Sequence, residues 1–385
     1  MKIAIIHSFF EEAGGGEKLA LEMRRALREL GHEVDLYTAY VDENVWRVLS
    51  DGMRDATRPI VLGEPRLARL LRRSGRFFYY RRLVTVDELA RPARRLRKNY
   101  DIIIETQSNM PLRWADVIYI HYPAIAGFMT AQSQRKGVTW NVYNWLVARK
   151  AWSMVDSTRP IMTNSTWTAE HVRSIYGNER VYVVHPPVNV EELSSLAERT
   201  KRDKIALTVS RIAPEKRLPQ LVEVAKLVPE VEFYLVGAMG PASGPVIQEL
   251  KRRAEGLSNF HLETDVPRSR ILELMSQASI YLHPPFAEHF GIAIAEAAAA
   301  GLVPVVYRDG GGWTDIVSRI DQGLGYTNVE EAAHIIRSLL NDPERLKALS
   351  ARAREVAKGF SYEAFRARVD EVVKLIEEGA LNETT

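Results

Sequence analysis

Two glutamates eight residues apart have the spacing and setting for chemistry: Glu288-His289-Phe290-Gly291-Ile292-Ala293-Ile294-Ala295-Glu296. Glu288 follows His283-Pro284-Pro285, which ends a strand, and so belongs on a loop at that strand's carboxyl end, over a cleft. From Gly291 the run reads as an apolar helix, Ile292 to Ala300, in which Glu296 is the only charged residue. A lone carboxylate on a buried helix is costly unless paired or hydrogen-bonded, so Glu296 demands a partner. A vicinal diol such as a ribose would satisfy both of its oxygens; a neighbouring backbone amide is the structural alternative. If the helix starts near Gly291, its rise places Glu296 about 7.5 Å along the axis. The two carboxylates can then address opposite parts of one elongated ligand, with the helix N-terminus aimed at phosphates.

A second pair points the same way. Arg211 and Lys216 flank the short loop Ile212-Ala213-Pro214-Glu215 directly after a strand. There Arg can grip diphosphate oxygens bidentately while Lys adds a point charge. Two solvated cations at a helix start have the same appearance. Near the N-terminus, Ala13-Gly14-Gly15-Gly16-Glu17 links the first strand to the first helix. Glycines there let backbone approach a ligand, and the helix start behind them offers N–H groups and positive dipole. A tight ligand-free turn is the plain alternative. The run is not G-x-G-x-x-G, so it does not indicate a dinucleotide site.

These residues need strands and helices to position them. Strands are expected at Lys2 to His7, Val34 to Thr38, Asp101 to Glu105, Asp116 to His121, Pro160 to Thr163 and Val181 to Val184. The first helix, Glu17 to Leu30, carries Leu19, Ala20, Met23, Ala26, Leu27 and Leu30 on one stripe and ends at Gly31. His185-Pro186-Pro187 breaks the pattern as a hinge. The alternation then restarts with strands at Ile205 to Ser210, Glu232 to Val236, Asn259 to Leu262, Ser279 to His283 and Val303 to Tyr307. Pro267 opens one intervening helix in its first turn. The fold class is therefore α/β: two Rossmann-like, doubly wound parallel-sheet domains facing across a cleft, residues 1–187 and 188–360. A last helix, 361–385, presents Phe365, Val369, Val372, Val373 and Ile376 on one face and needs something to pack on.

Composition narrows the class. The chain has 385 residues, 46% of them hydrophobic and 26% charged, the balance of an ordinary folded protein long enough for two domains. It has no cysteine, which excludes disulfides, a thiolate nucleophile and thiolate metal sites. No apolar run reaches membrane-spanning length, and Met1-Lys2-Ile3-Ala4-Ile5-Ile6-His7 is too short for a signal peptide. A cytoplasmic location is expected. The net charge is +3, yet Arg47 to Lys98 holds 15 Lys or Arg against 5 Asp or Glu. Within it, residues 67–82 interleave Leu, Phe and Tyr with Arg69, Arg72, Arg73, Arg76, Arg81 and Arg82. Peripheral binding to an anionic membrane uses that composition; so does a solvated helix face over a few core aromatics. No nucleic-acid module accompanies the patch, and no nucleic-acid partner is expected.

The Glu288-x7-Glu296 stretch, Arg211 and Lys216, the Gly14 to Gly16 run and the order of elements resemble the retaining GT-B glycosyltransferases of family four, over nearly the whole chain. Ala13-Gly14-Gly15-Gly16-Glu17, Ile120-His121-Tyr122-Pro123, Asn164-Ser165-Thr166-Trp167-Thr168 and Glu288-His289-Phe290-Gly291-Ile292 look most like the eukaryotic mannosyltransferases that extend dolichol-pyrophosphate-linked oligosaccharides. The sequence departs from those enzymes in showing no N-terminal membrane anchor and in its Asp309-Gly310-Gly311-Gly312-Trp313 loop.

The resemblance implies a first domain for the acceptor and a second for the nucleotide-sugar, with the last helix crossing back onto the first. It assigns Arg211 and Lys216 to the donor diphosphate, Glu296 to the ribose and Glu288 to the transferred sugar. Backbone groups of Phe290, Gly291 and Ile292 lie beside that sugar on this reading, and Asp265 and Val266 hold the base. Gly15 and Gly16 approach the donor, and His121 lies over its sugar at the reaction centre. The implied donor is GDP-mannose, with a UDP-sugar as the alternative. The implied acceptor is a glycan or polyprenyl-pyrophosphate-glycan at the inner membrane face. No Asp-x-Asp pair lies near the site, so neither a metal nor a prosthetic group is expected. A nucleotide-sugar epimerase and a non-catalytic GT-B-like partner subunit are the rival classes.

Overall fold

The computed structural model describes every residue except 52, 54, 75–77, 124–144, 147, 199–201, 241, 285–286 and 384–385, and the side chains of 71–80, 198 and 379–383 also lie outside the description. Two compact units emerge: Met1–Pro186 together with Phe365–Thr385, and Pro187–Ala364.

The first unit holds β1 (Lys2–Ile6), β2 (Phe9–Phe10), β3 (Glu33–Thr38), β4 (Tyr40–Val41), β5 (Ile60–Val61), β6 (Ile102–Glu105), β7 (Val117–Ile120), β8 (Ile161–Thr163) and β9 (Val181–Val183). Seven form one sheet in the order β5-β3-β1-β6-β7-β8-β9, and β2 pairs with β4. Pairing is parallel throughout, with Ile3 opposite both Val34 and Ile102. β1 and β6 are buried along Ile3–Ile6 and Ile102–Glu105, as continuous apolar runs covered on both faces should be. The first helix spans Gly15–Glu29, starting two residues before the expected Glu17, because extended Gly14 serves as its N-cap. Gly15 and Gly16 therefore lie in the first helical turn rather than in a preceding loop. From Phe365 the last helix (Tyr362–Glu383) belongs to this unit, burying Phe365, Val369, Val372 and Val373. Arg366 donates to Glu29 (3.0 Å), and Arg368 to His185 Nδ1 (2.7 Å).

The cationic stretch forms helices Arg66–Ser74 and Phe78–Leu96. Leu67 and Leu70 are exposed on the first, while the side chains of Arg72, Arg73 and Arg76 lie outside the described residues. Its end corrects the expectation of an interfacial segment running to 82. Arg81 is 4% exposed. It donates to Glu11 at 2.8 Å and lies 5.1 Å over the Phe9 ring, so it is an internal cation already paired with a carboxylate.

The second unit carries β10 (Asp203–Arg211), β11 (Glu232–Ala238), β12 (Phe260–Thr264), β13 (Ala278–His283), β14 (Val303–Tyr307) and β15 (Gly325–Tyr326). They form one parallel sheet in the order β12-β11-β10-β13-β14-β15. Strand order reverses at β10, and ligands of open α/β sheets bind where the strands end beside such a reversal. Pro267 stands at the N-cap of the helix Arg268–Gln277, one place earlier than expected.

After β14 the chain folds back on the segment that follows β13. Glu288 and Gly310 form a parallel bridge, and the Gly311 N–H donates to the Glu288 carbonyl at 2.6 Å. Gly310 has φ +90°, and a Cβ there would lie 2.5 Å from the Glu288 carbonyl oxygen and 2.6 Å from its nitrogen. Only glycine fits, for conformation and for space. A Gly310→Ala substitution is expected to destabilise the second unit by about 2 kcal/mol or more. Urea unfolding checks this; a midpoint equal to that of the wild type would show that the loop tolerates the side chain.

Candidate active site

In the second unit the site grows from the ends of β10 and β13. After Arg211, the Ile212 N–H donates to the Ala238 carbonyl (2.9 Å), and the Ser243 hydroxyl donates to the Ile212 carbonyl (2.6 Å). Gly237 makes room for the buried Ile212 side chain, since a Cβ there would lie 2.3 Å from Ile212 Cγ1. This clamp fixes the start of a 3-10 turn, Pro214–Lys216, beyond which Arg217 takes φ +50°.

Lys216 leaves that turn to place Nζ 2.7 Å from Oε2 of Glu288. His283, the last residue of β13, reaches the same oxygen with Nε2 at 3.2 Å. Exposure is 21% for the Lys216 side chain, 17% for Glu288 and 5% for His283. Burial alone would push the Glu288 carboxyl up; the His283 hydrogen bond and the Lys216 charge outweigh it and hold the group well below the usual carboxylate range. Burial pushes His283 down, only partly offset by Glu288, and Lys216 adds to the depression. The imidazole is therefore neutral near pH 7. An ionised carboxylate only accepts, so Nε2 carries the hydrogen. Nδ1 is then a lone-pair nitrogen, buried with no hydrogen-bond partner among the described residues.

The other expected donor-site residues are placed as follows. Arg211 is mostly exposed, its guanidinium 3.6 Å from Glu215. Glu296, expected to be a lone buried carboxylate, is only half-buried. Its partner is Arg268, which donates to Oε1 at 3.1 Å and lies 3.6 Å from Glu192. The helix Ile292–Ala299 turns that face outward, which is why the charge is tolerated there. Gly291 caps the helix at φ +87°, where a Cβ would meet Ile294 Cδ1 at 2.6 Å. The first helical N–H groups, at Ile292 and Ala293, have no acceptor within the helix. Phe290 is a core residue, 2% exposed, with its ring 5.2 Å from that of Phe360. The Asp265 N–H is engaged with the Gly237 carbonyl (3.0 Å) and its carboxylate with the Met239 N–H (2.9 Å), beside half-buried Val266.

In the first unit, His121 follows β7. Its Nε2 is 3.1 Å from the Thr106 carbonyl, which can only accept, so that nitrogen carries the hydrogen. Its backbone is held at both ends: the N–H donates to Asn109 Oδ1 (2.7 Å), and the carbonyl accepts from Asn164 Nδ2 (2.9 Å). Asn109 itself takes φ +60°. Thr106 also engages His7 Nδ1 through its hydroxyl at 2.9 Å. The 106–109 turn hangs on Glu105, whose carboxylate accepts from the N–H groups of Gln107 (2.9 Å) and Ser108 (2.8 Å); burial nevertheless pushes that carboxyl up to about 7. A Cβ on Gly16 would lie 3.6 Å from His121 Nε2, in ordinary contact. Glu17, nearly buried, lies 3.9 Å from His7 Nε2. Burial raises its carboxyl, and His7, its own backbone N–H and His121 together outweigh that and lower it.

The structure thus joins Lys216 to Glu288, and Gly16 to His121. It leaves Arg211 and Glu296 with partners of their own. Sequence reasoning missed His283, Arg268, Glu17 and the positioning role of Gly310. His283 carried a signal, an imidazole closing a buried strand before Pro284, whereas Arg268 lies 28 residues from Glu296 and carried none. Among the described residues no cluster of three metal-ligating side chains occurs, and no helix is long and apolar enough to cross a membrane.

Comparison with known proteins places the chain. The family model described as Glycosyltransferase Family 4 matches residues 13–192, and that described as Glycosyl transferases group 1 matches residues 189–356. Curated relatives include GDP-Man:Man(3)GlcNAc(2)-PP-Dol alpha-1,2-mannosyltransferases from Dictyostelium discoideum, 25% identical over 64% of this chain and 56% of the relative, and from Neurospora crassa, 30% identical over 65% and 54%. The chain thus spans little more than half the length of these relatives. Among solved structures, Anabaena HepE in complex with UDP-glucose superposes with a TM-score of 0.68 at 16% identity, covering 97% of this chain and 99% of that one, which shows the shared fold. One glycosyltransferase family model thus matches each half of the chain, on a GT-B fold shared with that solved structure.

Proposed function

We propose that this protein is a retaining hexosyltransferase that moves mannose from GDP-mannose to a polyprenyl-pyrophosphate-linked glycan at the cytoplasmic face of a membrane. The observation that carries the reading is the Lys216–Glu288 pair at the switch point of the second sheet. It sets a cation for phosphate beside an ionised carboxylate for sugar, on a scaffold whose curated relatives bear mannosyltransferase names.

Breaking the sugar–phosphate bond adds about one negative charge to the departing diphosphate and leaves positive character on the ring. Fixed donors aimed at that developing charge lower the barrier most. Lys216, Arg211 and the N–H groups opening the helix at Ile292 supply them, the work that a divalent ion performs in other transferases. Arg211, mostly exposed, is available to swing onto the diphosphate. Glu288, kept ionised, faces the positive side of the separating charge and stabilises it without forming a covalent bond. Glu296 with Arg268 holds the ribose, and backbone groups beside Asp265 and Val266 hold the base. The acceptor hydroxyl attacks the face the diphosphate leaves, so configuration is retained, and its proton passes to that leaving group.

A nucleotide-release assay with GDP-mannose and UDP-glucose, with and without a polyprenyl-pyrophosphate glycan, tests donor and acceptor together. Release that depends on the glycan supports transfer, whereas conversion of the donor alone would indicate an epimerase. Arg211→Ala is expected to lower turnover at least about 100-fold with the fold intact; near wild-type turnover would remove Arg211 from the diphosphate site.

Membrane contact follows from the same reading. The helix Arg66–Ser74 exposes Leu67 and Leu70 beside Arg66 and Arg69, apolar groups for the headgroup layer and cations for lipid phosphates. Charge reversal at Arg69, Arg72, Arg73 and Arg76 is expected to weaken co-sedimentation with anionic liposomes, and the binding should fall steeply with salt. Unchanged co-sedimentation would make this a solvated helix.

A further inference from the structure

We propose that His283 is a positioning residue that takes up a proton when the donor binds, replacing on Glu288 the cation that Lys216 transfers to the diphosphate. The proposal rests on the donor-site reading above and adds to it a change of protonation at a residue that does not touch the donor.

The geometry sets the problem. Lys216 and His283 both bond Oε2 of Glu288, at 2.7 and 3.2 Å. Lys216 cannot hold that oxygen and a diphosphate oxygen with the same N–H. If it moves to the diphosphate, one ion pair breaks and another forms. Glu288 would then be left mostly buried with a single neutral hydrogen bond, and removing one partner of a buried ion pair is strongly unfavourable. A second cation must appear, or Glu288 must be protonated and lose the charge the reaction uses.

His283 is the group in place to respond. Its Nε2–H already points at Glu288, and its Nδ1 is buried with no hydrogen-bond partner among the described residues. A proton from solvent added at Nδ1 makes an imidazolium whose Nε2–H still bonds Oε2, so the carboxylate again faces a cation. Nothing else is displaced. The groups facing the ring are Glu288 and Lys216 from their loops and Tyr281 from its own strand, stacked at 6.1 Å with its hydroxyl donating to the Val209 carbonyl. Tyr326 on β15 donates to the His283 carbonyl at 3.0 Å, and Arg217 acts on Tyr326 and lies 5.5 Å over Tyr307. Of these, Glu288 is the anion that favours an imidazolium, and Lys216 is the cation that opposes one.

The sign follows. In the free protein, burial and Lys216 depress His283, while Glu288 lifts it. Moving Lys216 onto an anion removes one depressing influence and leaves Glu288 unopposed, so the bound state has the higher affinity for protons. Binding therefore consumes protons in the window between the free and bound values, and affinity rises as pH falls, by at most about tenfold per pH unit for one proton. Above the bound value the effect vanishes.

Calorimetric titration of the full chain with GDP-mannose and with UDP-glucose, in buffers of differing ionisation enthalpy from about pH 5.5 to about pH 7.5, reads the proton count directly. Nucleotide-sugars suit the purpose because neither phosphate titrates near neutrality. The expected result is uptake of a fraction of a proton that rises as pH falls into the window between the free and bound values and declines below it, and its loss in His283→Gln, which keeps an N–H donor but cannot be protonated. Binding without proton uptake across the range would overturn the proposal while leaving the donor site standing; so would uptake that persists in His283→Gln. If neither nucleotide-sugar binds, the donor-site reading fails, and the proposal with it. Should His283→Gln not fold, the wild-type proton count still decides.

Discussion

A lysine and a histidine converge on one largely buried carboxylate oxygen, and the second unit is arranged around that contact. Breaking such a pair by removing one partner costs about 3 to 5 kcal/mol, so in the free protein the three residues must arrive together. Each comes from a different place: Lys216 from the turn after β10, His283 from the end of β13, and Glu288 from the loop beyond it. The surrounding backbone restrains each arrival. Ile212 is clamped beside Gly237, and Glu288 is bridged to Gly310, whose missing side chain permits the contact. Charge sets the residue types; close backbone approach sets the glycines.

The first unit answers the same demand with hydrogen bonds to a threonine. Two histidines, His7 after β1 and His121 after β7, meet at Thr106, one at its hydroxyl and the other at its carbonyl. Thr106 follows Glu105, a fully buried carboxylate that caps the next turn with two backbone N–H groups. Holding it there raises its proton affinity, a local cost that the capped turn offsets by presenting Asn109 to the His121 backbone. Both units thus secure an imidazole at a strand end by hydrogen-bonding one ring nitrogen. Among the described residues the other nitrogen has no hydrogen-bond partner at His283 (Nδ1) in the second unit or at His7 (Nε2) in the first.

Much of this was legible in the sequence, for definite reasons. Parallel strands buried on both faces are continuous β-branched runs, so β1, β6, β10 and β14 announce themselves, and an apolar stripe at helical spacing marks the helices between. The two-residue strands Phe9–Phe10, Tyr40–Val41, Ile60–Val61 and Gly325–Tyr326 carry no periodicity and were invisible. At the site, Glu288 and Lys216 stood out by type and by position after strands, yet their contact is tertiary, across 72 residues. Glu296 was singled out as unpaired because local sequence offers no cation; its partner Arg268 arrives from another helix. Arg81 misled in the opposite direction. In sequence it continues a basic run; in the fold it turns inward to Glu11, 70 residues away. Charge runs report composition, and only tertiary packing tells which cations face solvent.

The most direct test of the central claim is a crystal structure of the protein with GDP-mannose bound. The diphosphate should lie against Lys216 and Arg211 at the carboxyl end of β10, with Lys216 Nζ withdrawn from Glu288 and His283 still within hydrogen-bonding distance of it. A nucleotide bound elsewhere, or Lys216 still seated on Glu288 beneath a bound diphosphate, would contradict it.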